Sequence, residues 1–121
     1  MRQVNDIVLS GLSDASTNGE QIDTNQMLSM SFHLVSDVAV SGTFKLQASN
    51  DVAPLQISGP TFIVTNWIDI PNQSNTLASA TQSILVLSAN DTPFRWVRAV
   101  FTHSGGGDTG TLIVQRFGQG V

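Results

Sequence analysis

Phe94-Arg95-Trp96-Val97-Arg98-Ala99-Val100-Phe101-Thr102 is the segment that most narrows what this chain can fold into. It is dense in aromatic and β-branched side chains, which fit a packed, pleated surface better than a helix. Asn90-Asp91 before it and Ser104-Gly105-Gly106-Gly107 after it are turn chemistry, so the segment has the length of one strand. Period two places Arg95 and Arg98 on opposite faces, as expected of a strand in the middle of a sheet.

The same periodicity recurs along the chain. Over residues 26–35, Leu28, Met30, Phe32 and Leu34 share one face, and Ser29, Ser31 and His33 share the other. Over 43–49, Phe44, Leu46 and Ala48 alternate with Thr43, Lys45 and Gln47. Further strands are expected at 55–58 and 61–70, split by Gly59-Pro60, with Pro71 stopping the second because proline cannot donate to a ladder. Residues 72–76 read as a turn. Residues 81–88 read as a strand whose run Ile84-Leu85-Val86-Leu87 is apolar on both faces. The strand at 94–102 is expected to form a hairpin with 111–117 through the glycine-rich turn. No 3.6-residue pattern persists, so the expected fold is all-β: an antiparallel two-sheet sandwich or jelly roll of about seven to eight strands. Phe32, Phe44, Leu46, Trp96, Val100 and Leu112 are expected near its core.

Residues 1–25 read as an N-terminal arm or an edge strand plus loop, and residues 26–121 as the β-domain. Ile7-Val8-Leu9 is the one apolar cluster of the first segment, and Asn18-Gly19 is a turn signal. Leu46 to Asp51 and Leu85 to Asp91 look alike, each followed by a proline, but one short match reads as convergent turn chemistry rather than a repeat.

Composition excludes several classes of function. Charged residues make up 12% of the 121, about half the usual ~25%, and Ser, Thr, Asn and Gln replace them. Such a surface is weakly protected against self-association, so part of it is expected to be covered, by a homo-oligomeric contact or a partner. With a net charge of −4 and only five cations, the chain cannot neutralise a row of phosphates, so no nucleic acid partner is expected. No apolar run approaches the ~20 residues that span a bilayer, and the N-terminus does not read as a signal peptide, so no membrane partner is expected and synthesis is placed in a cytoplasm. Zero cysteines exclude disulfides and thiolate chemistry.

No motif assembles a catalytic centre, and no catalytic residue, metal ligand or cofactor site is expected. His33 and His103 have no carboxylate at ligand spacing, and His103 and Ser104, being adjacent on a strand, point apart. Asp51, Asp69, Asp91 and Asp108 sit in separate turns, where aspartate caps its own backbone more often than it binds calcium. The glycine-rich loop at 104–110 lacks the lysine and following helix of a phosphate cradle. Trp67 and Trp96 read as core or interface anchors, with a sugar-stacking platform as the alternative. The candidate partner interface is Ile7, Val8 and Leu9 on the first segment, Leu85 and Leu87 on the doubly apolar strand, and Trp67.

The blocks Gly42-Thr43-Phe44-Lys45-Leu46-Gln47-Ala48-Ser49-Asn50-Asp51, Asn66-Trp67-Ile68-Asp69-Ile70-Pro71, the segment Phe94 to Thr102, and Gly110-Thr111-Leu112-Ile113-Val114 together resemble small structural proteins of bacteriophage virions. The resemblance covers roughly residues 40 to 117. It implies a β-sandwich carried on the virion, most specifically a capsid decoration or cement protein bound in many copies to the major capsid protein or another virion protein. A receptor- or glycan-binding module of a tail or fibre is the alternative. The resemblance transfers no catalytic residue.

Overall fold

The computed structural model describes residues 2–24, 27–52, 62–88, 94–105 and 109–120. Seven strands run through them: β1 (Arg2–Leu12), β2 (Thr17–Asn18), β3 (Ile22–Asp23), β4 (Met27–Ser49), β5 (Ile68–Leu87), β6 (Trp96–His103) and β7 (Thr111–Gly120). Every pairing is antiparallel, and all seven belong to one sheet that curls into a half-barrel.

β4 organises the molecule. Its 23 residues, if straight, would span about 75 Å, roughly twice the ~35 Å width of a domain this size. It therefore has to fold over. β5 lines one edge of β4 from Met30↔Leu87 to Ala48↔Ile68. β7 takes the other edge of the first half (Met27 to Ser36), and β6 takes that edge of the second half (Gly42 to Ser49). β6 and β7 thus follow one another along β4 and do not pair with each other, so the expected hairpin does not form. Asp37 explains why: its Oδ1 accepts the Thr111 amide (2.9 Å) and its Oδ2 the Thr111 hydroxyl (3.2 Å), seating the start of β7 beside β4. β1 continues the sheet outside β7, while β2 and β3 continue it outside β6.

The fold line is a set of register breaks at one level. Residues 36–39 of β4 stand opposite Thr81 alone, because Val35 pairs with Gln82 and Val40 with Ala80. Ser79 has φ 51° there, and Gly42 has φ 154° where β4 crosses the Thr102 carbonyl. Folding at this line packs the inner faces of the two halves together. Phe32, Leu34, Leu85, Leu87, Leu112 and Val114 from the first half share one core with Phe44, Leu46, Ala48, Val97, Ala99 and Phe101 from the second.

Four local expectations need correction. The strands at 26–35 and 43–49 are two halves of β4, because flanking partners carry the backbone through the intervening break. Residues 62–67 are irregular, and the strand expected over 61–70 begins only at Ile68. β5 runs through Pro71, since residues 70–73 bulge out of register between Gln47↔Asp69 and Lys45↔Ser74, on an edge strand whose outer side needs no donor. The expected turn at 72–76 lies inside β5, with only Asn72 left-handed at φ 64°. The strand expected at 55–58, the Gly59-Pro60 break, Asn90-Asp91 and the glycines at 106 and 107 lie outside the described residues. The six expected core residues are all buried, although Trp96 and Val100 are covered on the face of β6 opposite the main core.

Candidate functional site

The outer surface of the folded sheet divides into two faces of different chemistry. On the second half, Lys45, Gln47 and Ser49 of β4 point outward beside Val100, Arg98 and Trp96 of β6 and Asp69 of β5. Period two and the observed register bring them into one row. The Arg98 Nε donates to Gln47 Oε1 (2.9 Å), the Gln47 amide donates to Asp69 Oδ1 (2.9 Å), and Lys45 Nζ lies 3.2 Å from the same carboxylate oxygen. The Gln47 amide, then Lys45, holds the Asp69 carboxyl below the usual aspartate range. Burial lowers the Arg98 pKa, and a guanidinium still remains charged.

The segment leading into β5 straps this face. Gln21 acts like a strand edge, donating its amide to the Phe62 carbonyl (2.6 Å) and accepting the Val64 amide on its oxygen (2.9 Å). Asp51 takes the Thr65 amide (2.9 Å), the Asn66 amide (3.1 Å) and the Asn66 side chain (2.9 Å), and these bonds lower its pKa, the Asn66 side chain most. Beneath the strap, Phe62 tilts against Trp96 at 5.8 Å, and the Trp96 indole donates to the Asp51 carbonyl (3.1 Å). Trp67 has the Arg98 guanidinium 4.5 Å above its ring, and its N–H donates to the Val64 carbonyl (3.2 Å). Both tryptophans therefore pin the strap. The same connection carries the three most exposed large apolar side chains among the described residues: Val52 (87%), Ile63 (72%) and Ile68 (70%).

On the first half, the outward positions form rows across β5, β4, β7 and β1. One is Val86, Ser31, Phe117 and Asn5; the next is Ile84, His33, Gln115 and Ile7. Ile7, Ile84, Val86 and Phe117 are exposed. The His33 Nε2 shares a hydrogen bond with the Gln82 side chain, at 3.0 Å.

Of the six expected interface residues, Leu85 and Leu87 are buried, and the outward apolar pair of that strand is Ile84 and Val86. Alternation overrides the apparent two-faced run, because the fold covers the inner face of β5 and leaves its outer face open. Val8 and Leu9 are also buried, although adjacent, because β1 bulges between Ile7↔Gln115 and Leu9↔Val114 and so turns two consecutive side chains inward. Ile7 stays outside. With Val8, Leu9, Ser10, Asn18 and Glu20 it lines an open groove of about 290 Å³. Trp67 is half-buried under Arg98. Sequence reasoning missed the strap clamp Gln21 and read Asp51 as capping its own turn, whereas its carboxylate holds the Thr65 and Asn66 amides of the strap.

Each described cation side chain has a partner within the chain: Lys45 with Asp69, Arg95 with Asp23 and across Trp96, Arg98 with Gln47 and Trp67, and Arg116 with Asp6 through two bonds of 2.9 and 2.7 Å. Among the described residues no cluster of three or more His, Asp or Glu is arranged to hold a metal ion, and no helix is long and apolar enough to cross a membrane.

No family model matches the chain, and no curated protein matches it. Among solved structures, the crystal structure of the SPBc2 prophage-derived protein YomS shares the fold with a TM-score of 0.61 at 9% sequence identity, covering 97% of this chain and 92% of that one.

Proposed function

We propose that this chain is a structural protein of a bacteriophage particle, and specifically a decoration or auxiliary protein that binds in many copies to the major capsid protein or another virion protein. The observation that carries this reading is the fold shared over nearly the whole length of both chains with a prophage-derived protein. The sequence blocks of β4, β5, β6 and β7 that resemble small virion proteins support it independently of the fold. In this reading the protein works by binding. Val52, Ile63 and Ile68 on the strap connection supply exposed apolar contact, and the surrounding Ser, Thr and Asn supply neutral hydrogen bonds. Individually weak contacts suffice, because a repeating lattice multiplies them.

Occupancy of purified particles, measured between about 50 and 500 mM NaCl, tests this reading, since the Debye length falls about threefold over that range. Occupancy is expected to change little, because the described cations are already engaged within the chain. Ile63→Asp and Ile68→Asp are expected to lower occupancy while leaving the thermal midpoint unchanged. Failure of the purified chain to load onto particles of its own phage, combined with retention on immobilised glycans that Trp67→Ala abolishes, would replace decoration with tail-associated adhesion.

A further inference from the structure

Arg116 and Phe117 stand the wrong way round for a free surface. Phe117 points outward and is exposed, while the Arg116 side chain, opposite Phe32, lies on the inner side, paired with Asp6 at the rim of the core and only 12% exposed. A register one residue away would have put the charge in water and the ring inside. The rest of that outer face follows Phe117. Its outward positions are Gln3, Asn5, Ile7 and Ser10 on β1, Ile113, Gln115, Phe117 and Gln119 on β7, Ser29, Ser31, His33 and Val35 on β4, and Gln82, Ile84 and Val86 on β5. None of these is Asp, Glu, Lys or Arg; the nearest acid, Asp37, lies one row further at the fold line, where its carboxylate is engaged by Thr111. Rows of four strands with this much exposed apolar surface and no charge among them are built to be covered.

We infer that this face is an interface between two copies of the chain, packed face to face about a two-fold axis. Such a contact sets a surface against itself, so it must be self-complementary. Charge of a single sign fails that condition. Apolar side chains meet it, and so do Ser, Asn, Gln and His, each of which can donate and accept hydrogen bonds. The net charge of −4 makes this face a place where two copies approach without opposing like charges. Size sets the strength: four strands about 4.8 Å apart and seven residues about 3.3 Å apart make roughly 450 Å² per copy. A standard interface buries about 800 Å² per partner, so the pair is weak in dilute solution and forms where copies are crowded.

Sedimentation equilibrium of the full chain, from about 10 µM to about 1 mM, tests this, because that range covers the dissociation constants of weak, transient contacts. The average mass is expected to rise from one chain toward two. Ile84→Glu and Phe117→Glu, both outward-facing, are each expected to weaken association at least about tenfold without lowering the thermal midpoint, whereas Thr43→Glu on the outer face of the other half leaves it intact. A wild-type chain that stays monomeric at about 1 mM overturns the inference. So does a dimer unaffected by both Glu substitutions. If the chain is monomeric throughout but Ile84→Glu abolishes loading onto particles, the face belongs to a coat protein instead of a second copy. The mass readout uses the isolated chain, so its outcome is separate from that of the virion assignment.

Discussion

The Asn75 side chain donates to the Ser83 hydroxyl (2.8 Å) and to the Ile84 carbonyl (3.1 Å), joining the two halves of β5 across the open side of the folded sheet. Both residues point inward by register, Asn75 opposite Phe44 and Ser83 opposite Leu34. A polar pair here closes the rim of the core and leaves no apolar notch on a free edge. Asn75→Ala is expected to destabilise the fold by about 1 kcal/mol, the net worth of partly exposed hydrogen bonds. Ser83→Ala is expected to cost less, because Asn75 keeps the carbonyl of Ile84. Denaturant midpoints with an unchanged slope measure both, and the double variant is expected to cost less than the sum of the singles.

Gly42 is the least replaceable glycine of the fold line. Its φ of 154° is strained for a side chain, and a Cβ there runs into the Thr102 carbonyl oxygen, which is backbone and cannot swing away. Gly42→Ala is expected to cost about 3 kcal/mol or more, the sum of dihedral strain and overpacking. Gly105→Ala has φ 98° to contend with but open space around it, so it is expected to cost only about 1 kcal/mol. Thermal unfolding of the two variants gives the comparison.

Asp51 makes the strap sensitive to acid. Its carboxylate is favoured in the folded chain by the Asn66 side chain and the Thr65 and Asn66 amides, so its folded pKa lies below the unfolded one. The strap is therefore held fully above the ordinary aspartate pKa, and the hold is lost as pH falls through the lowered folded value. Amide shifts of Thr65 and Asn66, followed by NMR down the pH scale, are expected to move with that titration. In Asp51→Asn the acid-dependent movement is expected to disappear.

The two tryptophans are expected to differ in their contribution to stability. Trp96 is buried beneath Phe62 and bonded to the Asp51 carbonyl, so Trp96→Ala is expected to cost about 3–5 kcal/mol. Trp67 is half-buried, and removing it loses one hydrogen bond and the contact with Arg98, together worth about 1–2 kcal/mol. Chemical denaturation distinguishes the two, and equal losses would mean that the strap is part of the main core.

Alternation alone determined that this chain is built of β-strands and which side chains of residues 30–34 and 44–48 are covered, because period two is a property of the strand itself; for residues 96–101 it did not, since the strap also buries Trp96 on the outer face. Only the tertiary structure decided how those strands continue and meet. Whether β4 ends near Ser36 or passes through a fold line depends on β5, β6 and β7 lying alongside it, and whether Pro71 stops a strand depends on its outer edge being free. Whether Val8 faces in with Leu9 depends on a bulge that exists only against β7. The loop from Ser104 to Gly110 is long enough for a hairpin, and Asp37, distant in sequence, seats β7 elsewhere. The neutral rows of the outer face were legible one strand at a time, as the polar and apolar side of each alternation. Its existence as one surface was not, since it requires the registers of four strands that hydrogen bonding sets between residues more than a hundred positions apart.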